Sequence, residues 1–529
     1  MRRPKRIGRA IKALTALTAG LAVLLTGALG ACSNQQPSAS GTKAAATQEP
    51  KRVSVHDPSL VRSGKSYYVF GSHRAYARST DLVNWTPFTN NLSRDYKKIF
   101  AQIWKDWPKQ SSNPDVTGNM WAPDVYYNAT MKKWCMYLSL NGAEHRSVIV
   151  LLTADRVDGD WTYAGPVVYS GFTRANYMHT DVPKVLGPDP KLDRYQSYTD
   201  TGINAIDACV KDDGQGGGGL WMSFGSWFGG IWMIRLDPKT GLRDYSTTYP
   251  TQANQSDAYY GHKLAGGFGN SGEGSALLHT NGHWYLFLSY GKLVQTGGYQ
   301  MRMFRSDSIT GPYLDQQGNP AIATSGEADN WTSETGIRLM GSYQWSGDKQ
   351  GDIEVSQGGN TALHDKDGRD YVIYHTRFSD RKEEHQIRVR QLMPTADGWL
   401  VAAPYEYLGT KAGGPYSAKD EAGTYELVEH DPTIFFKGPR KVTDTHSTQY
   451  RGVVKAVDIR LEPGGKVTGA RQGHWQVDDR ERLSMDLKEE DGTVSYQGVF
   501  ARLPRDKDHR MAMTFSALGN NVCIWGSKR

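Results

Sequence analysis

The stretch His283–Tyr290, with the sequence HWYLFLSY, is the clearest structural signal in the chain. It is an aromatic-rich run that follows the polar turn Asn281-Gly282, a combination typical of a β-strand. Four further runs share this character and follow a polar turn in the same way: SYYVF at 66–70, KWCMYLSL at 133–140, LWMSFG at 220–225 and DYVIYH at 370–375.

A second element follows these runs and gives the sequence a repeat. It is a strand that ends near Ser or Asp and precedes a Trp or Tyr, with copies at 77–81, 153–155, 234–237, 304–307 and 390–393. The copies lie roughly 60 to 90 residues apart, a spacing typical of propeller blades that carry insertions. A blade cannot bury its own faces and packs radially against its neighbours. We therefore predict an all-β fold with a five-bladed β-propeller over residues 53–410, since a β-sandwich predicts no such repeat.

The strand pattern of the sequence changes after Pro404. Short alternating strands follow, such as GTYELV at 423–428, HWQV at 474–477 and MAMTF at 511–515. They predict a small C-terminal β-barrel-like domain over residues 420–529, joined to the propeller by a linker at 411–419.

The first 32 residues are typical of an export signal. Six basic residues precede an apolar stretch that ends Leu29-Gly30-Ala31-Cys32, which resembles a bacterial lipobox. We expect Cys32 to be lipidated, residues 33–52 to be a flexible tether, and the protein to lie on the extracellular side of the cell membrane, held by its lipid anchor alone. The alternative is a short transmembrane anchor with an accidental cysteine.

Charge and hydropathy exclude two classes of protein. The chain has 529 residues with 62 Lys and Arg against 55 Asp and Glu, but six of the basic residues lie in the first twelve positions. The remainder is close to neutral, which argues against a nucleic-acid partner. A mean hydropathy of −0.58 excludes a polytopic membrane protein. We expect the chain to act as a monomer.

Three cysteines remain after Cys32, namely Cys135, Cys209 and Cys523. Their odd number and wide spacing argue against a disulfide framework or a zinc site. We expect Cys135 and Cys209 to be ordinary core residues, and a bridge between these two stays open as an alternative.

Three acidic residues lie at equivalent places in the repeat, just before the first strand of a blade. Asp57 lies in His56-Asp57-Pro58-Ser59, Asp207 ends Asn204-Ala205-Ile206-Asp207, and Glu273 lies between two glycines. Each alone fits an ordinary turn. Together they predict three carboxyl groups that converge on the central funnel of the propeller.

These residues also carry a resemblance to a known family. The chain resembles glycoside hydrolase family 43, and within it the two-domain extracellular endo-α-1,5-L-arabinanases. The resemblance rests on the following segments: VHDPS at 55–59, MWAPDV at 120–125, NAID at 204–207, FGSWFGGI at 224–231, GEG at 272–274, YHTRF at 374–378, YQGVF at 496–500, MTF at 513–515 and IWG at 524–526.

The resemblance implies a function and three catalytic roles. The expected reaction is hydrolysis of α-1,5-L-arabinofuranosidic bonds in arabinan, with inversion at the anomeric carbon. Asp57 matches the general base, Glu273 the general acid, and Asp207 the acid that orients Glu273. An inverting pair needs a separation of roughly 6.5–9.5 Å between its carboxyl groups. Repulsion from an ionised Asp207 would raise the pKa of Glu273.

The resemblance also implies ligands around these acids. His375 matches a histidine beside a largely hydrated Ca²⁺ at the propeller axis. Predicted substrate contacts are stacking by Trp121, Trp227 and Phe228, and hydrogen bonds from Asn204 and Ser226. The sequence departs from the family in Glu273-Gly274-Ser275, where Glu-Ala-Pro is frequent.

Three alternatives remain open. The insertion at 90–118, rich in Trp and Lys, could wall one end of the cleft and make the enzyme exo-acting. An α-L-arabinofuranosidase or β-xylosidase of the same family would act on side chains. A non-catalytic glycan-binding propeller lipoprotein would use the same fold, but it would have no need of three intact acids.

Overall fold

β-Strands dominate the computed structural model. It describes residues 49–109, 113–142, 145–197, 201–214, 219–270, 272–325, 335–414, 416–430, 453–478, 482–489 and 492–529. The export signal, Cys32 and the tether up to residue 48 lie outside the described residues. Glu49–Arg529 is one compact unit.

Three antiparallel sheets occupy the first half of this unit. The first has the order β1-β2-β3-β4, the second β5-β6-β7-β8 and the third β12-β13-β11-β10-β9. Their strands are β1 Ser59–Ser63, β2 Ser66–Gly71, β3 Ala75–Ser79, β4 Thr86–Pro87, β5 Met120–Asn128, β6 Lys133–Leu140, β7 Val148–Ala154, β8 Thr162–Tyr169, β9 Cys209–Asp212, β10 Leu220–Gly225, β11 Ile231–Leu236, β12 Ser256–Asp257 and β13 Gly261–Ala265.

Two further antiparallel sets follow along the chain. They have the orders β14-β15-β16-β17 and β19-β20-β21-β22. Their strands, with the short β18 between them, are β14 Glu273–Thr280, β15 His283–Tyr290, β16 Gln300–Ser306, β17 Ile337–Met340, β18 Tyr343–Gln344, β19 Glu354–His364, β20 Asp370–Phe378, β21 His385–Pro394 and β22 Leu400–Ala402.

The predicted aromatic runs are confirmed as strands. Each is the second strand of its set, namely β2, β6, β10, β15 and β20. Almost every residue of β15 is buried, because the strand packs on both faces, and this explains its continuous apolar run. The following strands β3, β7, β11, β16 and β21 contain the second element of the predicted repeat.

The sheets have a propeller-like arrangement with four separate blades. The set β14–β17 instead belongs to a twelve-stranded sheet, because Arg338 of β17 forms a parallel bridge with Val522 in the C-terminal region. The all-β class is therefore confirmed, and the predicted count of five blades stays a prediction.

The C-terminal region is a closed eight-stranded barrel, which confirms the predicted barrel-like domain. The order β31-β23-β25-β26-β27-β28-β29-β30 is closed by pairing of β30 with β31, and β24 pairs with β18 outside it. The strands are β23 Gly423–Glu429, β24 Val454–Lys455, β25 Val457–Leu461, β26 Lys466–Gly469, β27 Gly473–Val477, β28 Arg482–Glu489, β29 Gly492–Pro504, β30 Met511–Gly519 and β31 Val522–Lys528. Burial alternates along β28, as expected for a strand with one face toward a core.

Helices are few and short in the described residues. The first two, α1 and α2, lie in the insertion of the first sheet, and α4 begins with a capping box formed by Ser417 and Asp420. The α-helices are α1 Leu92–Ile99, α2 Ala101–Asp106, α3 Val182–Leu186 and α4 Ala418–Glu421, with 3₁₀ turns at Ser72–Arg74, Val116–Asn119, Tyr177–His179 and Asp193–Gln196. No helix in the described part of the chain is long and apolar enough to cross a membrane.

Hydrophobic cores lie between neighbouring sheets. One joins the first sheet to the last through Val69, Ile373 and Val389. The segment before β1 links the same two sheets, because the N–H groups of Trp85 and Ile387 donate to the carbonyl oxygens of Lys51 and Val53. Cys135, Cys209 and Cys523 are buried and free, as expected for core residues.

A cluster of charged side chains lies where the propeller-like part meets the barrel. We call it the junction cluster. Arg52 donates to Glu406 at 2.6 Å, and Glu406 donates its backbone N–H to Asp506 of the barrel at 2.9 Å. The members of the junction cluster are Arg52, Glu354, Arg388, Arg390, Glu406 and Asp506.

Candidate active site

A cavity of about 790 Å³ opens where the first strands of the sheets begin. Asp57, Asp207 and Glu273 all line it, so the structure brings together the three acids that the sequence singled out. The lining also includes histidine, aromatic and amide side chains, one guanidinium and two further carboxyl groups, among them His56, Trp121, Asp124, Tyr299, Asn360, Arg377, Glu383 and His385.

Asp57 lies in a strained turn just before β1. Its φ of 50° is in the left-handed region, which a non-glycine residue occupies only when its surroundings enforce it. Its Oδ2 accepts hydrogen bonds from His56 Nδ1 at 2.7 Å and Ser72 Oγ at 2.6 Å. Burial opposes ionisation, but the charge and hydrogen bond of His56, with smaller contributions from His375 and Ser72, outweigh it and hold the pKa of Asp57 well below its ordinary range. The carboxylate is therefore ionised and suited to act as a base.

Asp207 has a similar backbone but a different environment. Its φ is 60°, and its Oδ2 accepts the backbone N–H of Gly274 at 3.0 Å. Burial raises the pKa of Asp207 well above the ordinary value, and the negative charges of Glu273 and Asp57 add to the effect. Asp207 therefore couples its own ionisation to that of Glu273.

Glu273 is the first residue of β14 and accepts three hydrogen bonds. Tyr299 OH donates to Oε1 at 2.8 Å, while Trp227 Nε1 and Ser226 Oγ donate to Oε2 at 2.9 and 3.1 Å. Burial raises its pKa, helped by the charge of Asp57 and opposed by these donors. The direction agrees with the expectation from sequence, but burial is the largest cause and not repulsion from Asp207.

His375 lies beside Asp57 and is fully buried. Its ring stacks on His56 with 4.0 Å between centroids, and its Nδ1 accepts the backbone N–H of Asp57 at 3.4 Å. Burial lowers the pKa of His375 well below its ordinary value, so the ring is neutral and can bind a cation through a lone pair. Its Nε2 has no hydrogen-bond partner among the described residues.

Unpartnered amide groups lie next to His375. Gly358 is its partner across β19 and β20, and the side-chain oxygens of Gln357 and Asn360, on either side of Gly358 and Gly359, are buried without partners in the described part of the chain. One imidazole nitrogen with nearby amide oxygens and water is a set that a hard cation such as Ca²⁺ accepts. The residues present therefore fit the expected ion.

The five residues predicted to contact substrate differ in their positions relative to the cavity. Trp121 lines the cavity. Ser226 and Trp227 touch Glu273 directly. Phe228 is not among the residues that line the cavity and lies against His145, with ring centroids 4.1 Å apart and the ring planes tilted by 33°. Asn204 is not among the residues that line the cavity, and it exchanges hydrogen bonds with Ser147 at 2.6 Å and Asn141 at 3.1 Å.

Sequence reasoning did not single out Tyr299 or Ser72. Tyr299 reaches Glu273 from the loop before β16, and Ser72 bridges Asp57 to the backbone N–H of Ala122 at 2.8 Å. Neither residue belongs to a sequence motif that indicates a functional site. The glycines at 297 and 298 mark a turn before Tyr299, but nothing in the sequence says that this turn faces Glu273.

The fold and the cavity define a class of protein. A propeller-like all-β fold carries, in one cavity, an ionised carboxylate and two carboxyl groups of raised pKa. A base and a protonated acid around one cleft are the groups that glycosidic bond cleavage requires. These features define a glycoside hydrolase.

Comparison with known proteins gives the family. The model of glycosyl hydrolases family 43 matches residues 51–182 and 190–400, and the model of a C-terminal lipocalin-like domain found with that family matches residues 404–526. The chain belongs to glycoside hydrolase family 43.

Individual relatives agree with this assignment. The chain is 33% identical to extracellular endo-α-(1→5)-L-arabinanase 2 of Bacillus subtilis (strain 168), over 90% of this chain and 93% of the relative. It is 32% identical to an extracellular endo-α-(1→5)-L-arabinanase of Thermotoga petrophila, over 89% and 93%. The crystal structure of endo-1,5-α-L-arabinanase from Thermotoga petrophila RKU-1 superposes with a TM-score of 0.74 at 30% identity, covering 91% of this chain and all of that one. The protein is thus a glycoside hydrolase similar to endo-1,5-α-L-arabinanases.

Proposed function

We propose that the protein hydrolyses α-1,5-L-arabinofuranosidic bonds in arabinan by a single displacement with inversion. The observation that carries the proposal is the convergence of Asp57, Asp207 and Glu273 on one cavity, with the pKa of Asp57 lowered and those of the other two raised. Relatives that are 33% and 32% identical are named endo-arabinanases, which supports arabinan as the substrate.

Each acid has a separate role in this mechanism. Asp57 removes a proton from water as that water attacks the anomeric carbon. Glu273 donates its proton to the oxygen of the leaving sugar. Asp207 accepts the N–H of Gly274, fixes the backbone next to Glu273, and keeps a proton on the pair at a pH where an isolated carboxyl group would have lost it.

Other residues of the chain position these three. Tyr299, Trp227 and Ser226 hold the carboxyl group of Glu273 in one orientation. His56 and Ser72 do the same for Asp57. His375, with Gln357 and Asn360 nearby, would hold a hydrated Ca²⁺, whose positive charge would favour the ionised form of Asp57. Trp121 offers an aromatic face to a sugar ring.

We also propose that β14–β17 form a fifth blade and that the propeller spans residues 53–410, followed by the barrel domain at 420–529. The support for five blades is that the first strands β1, β5, β9, β14 and β19 contact one another in a closed ring. Each also has a residue with positive φ at its start or at its bulge: Asp57, Ala122, Asp207, Gly274 and Gly359. A repeated kink at the same point in each set is what equivalent blades would have.

Secretion and lipid anchoring through Cys32 complete the proposal, with a monomeric enzyme outside the cell membrane. The lipobox-like sequence and the word extracellular in the names of both relatives support this location. A Cys32→Ala variant should lose incorporation of labelled fatty acid and appear in the medium. Equal labelling of both forms would contradict the anchor.

The central experiment measures products from linear and branched arabinan over time, for the wild type beside Glu273→Gln. Oligomers of mixed length in the first minutes, absent with the variant, are the expected result. A single short product from the start would make the enzyme exo-acting, an outcome for which Asn113 and Gly118 of the helical insertion, which line the cavity, give a structural reason. Release of α-configured sugar, seen by NMR, would contradict inversion.

A further inference from the structure

Two exposed apolar side chains lie next to each other on the loop between β15 and β16. Leu293 is 37% exposed and Val294 is 41% exposed. Large apolar side chains with this exposure are rare in the described residues, where five others reach it, at separate places in the sequence. Leu293 also lines the catalytic cavity. An apolar pair left in water on the rim of a binding site indicates a surface that a ligand covers.

The same loop reaches the catalytic acid. It runs from Gly291 to Tyr299, and its last residue donates the hydrogen bond to Oε1 of Glu273 at 2.8 Å. Leu293 and the partner of the general acid therefore belong to one short segment. A sugar unit bound against Leu293 would contact a segment that is itself attached to the reacting group.

The loop is held in place although its apolar residues are exposed. Gln295 Nε2 donates to the carbonyl oxygen of Phe378 at 2.6 Å, and the N–H of Gln295 donates to Glu383 at 3.2 Å. Ser356 Oγ donates to the carbonyl oxygen of Val294 at 2.8 Å. These contacts join the loop to the strands and turn of the last sheet. A surface fixed before binding loses little conformational entropy when a ligand arrives.

We propose that Leu293 forms the apolar wall of a sugar subsite and determines affinity for a neutral furanose unit through its C–H face, while its exposed neighbour Val294 lies outside the cavity lining. The proposal rests on the proposed function and deepens it. Arabinofuranose carries no charge, and its ring and exocyclic carbon present C–H groups that pack on aliphatic side chains. The wall has no polar group to offer, so it contributes binding in the ground state and the transition state alike.

This assignment predicts an effect on KM and not on kcat. Leu293→Ala should raise KM for linear arabinan about fivefold to tenfold and leave kcat within about twofold, because an interaction made equally in both states affects binding alone. Val294→Ala should change KM far less, because Val294 is similarly exposed but is not among the residues lining the cavity. The matched control is Leu314→Ala, since Leu314 has the same exposure of 37% and is not among the residues lining the cavity. It should leave both constants unchanged.

A double-mutant cycle tests whether Gln295 acts by positioning Leu293 or by a general effect on the structure. Gln295 does not line the cavity, and its side chain ties the loop to Phe378. Gln295→Ala should raise KM by releasing the loop. If it acts through Leu293, the double variant Leu293→Ala/Gln295→Ala should resemble Leu293→Ala alone. Additive effects would show that Gln295 does not act through the wall.

A binding measurement keeps this proposal separate from the hydrolase proposal. Calorimetric titration of linear α-1,5-arabinopentaose into the Glu273→Gln variant gives a Kd without turnover. Adding Leu293→Ala should weaken binding about fivefold to tenfold, and adding Leu314→Ala should not. Equal Kd values for the Leu293→Ala and Leu314→Ala combinations would contradict the proposed subsite at Leu293. If the wild type fails to hydrolyse arabinan while the Kd values still differ, the wall stands and the hydrolase proposal fails. Absence of pentaose binding, with hydrolysis of arabinan by the wild type, would overturn the subsite and leave the hydrolase proposal in place.

Discussion

The cavity that holds Asp57, Asp207 and Glu273 and the junction cluster both contain several buried or half-buried carboxyl groups, but they differ in what faces those groups. In the junction cluster every acid lies close to an arginine: Glu406 is 2.6 Å from Arg52, Glu354 is 3.5 Å from Arg388, and Asp506 is 3.9 Å from Arg390. In the cavity Asp207 and Glu273 make no ion pair with any described residue, and they accept hydrogen bonds from neutral donors only.

The junction cluster is therefore suited to stabilising the fold, and the cavity to chemistry. A guanidinium beside a buried carboxyl group offsets part of the cost of burying its charge and links two parts of the fold. Asp506, which is 3.9 Å from Arg390, is the exception in the junction cluster, because burial there raises the pKa to about 7. A buried carboxyl group with no cation holds its proton to higher pH, which is the property a general acid needs. Backbone strain follows the same division, since Asp57, Asp207 and Trp227 have positive φ values around the cavity and no member of the junction cluster does.

The largest expected effect is on catalysis, and it distinguishes the two acids of the proposed pair. Asp57→Asn and Glu273→Gln should each lower kcat on arabinan about 10²–10⁴-fold, the usual contribution of a general acid or base. On an aryl arabinofuranoside with a good leaving group, such as dinitrophenolate, Glu273→Gln should regain most activity because that group departs without a proton. Asp57→Asn should not recover.

Initial rates on both substrates measure this, and thermal unfolding of each variant serves as the control for folding. Equal recovery of the two variants on the activated substrate would contradict the assignment of acid and base.

The next effect is on stability and belongs to the junction cluster. Arg390 is fully buried and donates to Tyr374 OH at 2.7 Å, Tyr343 OH at 2.7 Å and the carbonyl oxygen of Ala403 at 3.0 Å. Arg390→Met leaves these groups and Glu354 without their donor, so it should lower the free energy of unfolding by about 3–5 kcal/mol.

Denaturant unfolding measures the loss for Arg390→Met, while kcat should change less than about twofold. The control is Arg156→Met, because Arg156 pairs with Asp158 at 3.0 Å with 77% of its side chain exposed. Exposed pairs of this kind contribute at most about 1 kcal/mol. A large loss of kcat in Arg390→Met would show that the two regions are not separate.

A smaller effect concerns the pH dependence of the cavity. In the proposed mechanism Glu273 must be protonated to act, so activity should fall as the pH rises through its pKa. Burial and the charge of Asp57, and not Asp207, raise the pKa of Glu273, so Asp207→Asn should leave the alkaline limb of kcat/KM where it is. The acid limb should stay where it is, because the low pKa of Asp57 has other causes, first the charge of His56. A shift of the alkaline limb by about one pH unit or more in either direction would contradict this arrangement.

The smallest effect is a pH dependence of stability at the junction cluster. Burial is the largest cause that raises the pKa of Asp506 from 3.8 to about 7. The folded state therefore keeps a proton that the unfolded state has released, and this contribution to stability falls as the pH rises from about 4 to about 7. Water reaches the 26% of this side chain that is exposed and limits the effect to about 1 kcal/mol.

Asp506→Asn cannot ionise and should lack this decline. Its stability relative to the wild type should therefore increase between pH 5 and pH 8, measured by urea unfolding at several pH values. Parallel curves for the two proteins would contradict the assignment to Asp506. The pH profile of kcat/KM should be the same for Asp506→Asn and the wild type.

The strands were predictable because their signal is local. Aromatic and β-branched residues after a polar turn favour a strand wherever they stand, and all five runs found from HWYLFLSY outward are second strands of antiparallel sets. Much of the site was predictable for another reason. Asp57, Asp207 and Glu273 precede or begin first strands, so equivalent places in a repeat carry them to the same axis.

The partners of these acids were not predictable in the same way. Tyr299 lies 26 residues after Glu273 and reaches it because the loop before β16 folds over the cavity. Asn204 stands beside Asp207 in one motif, yet its side chain bonds to Asn141 and Ser147 of the neighbouring sheet. A motif gives the order of residues along the chain but not the direction in which each side chain points.

The sequence by itself determined the all-β class, the repeat, the barrel-like C-terminal domain and the identity of the three acids, because these depend on local propensity and on spacing. Only the tertiary structure decided the protonation of those acids. Burial and distance set it, through the histidine beside Asp57 and the absence of a cation near Asp207 and Glu273 among the described residues. Both quantities arise from contacts between segments that are far apart in the sequence, and no local pattern encodes them.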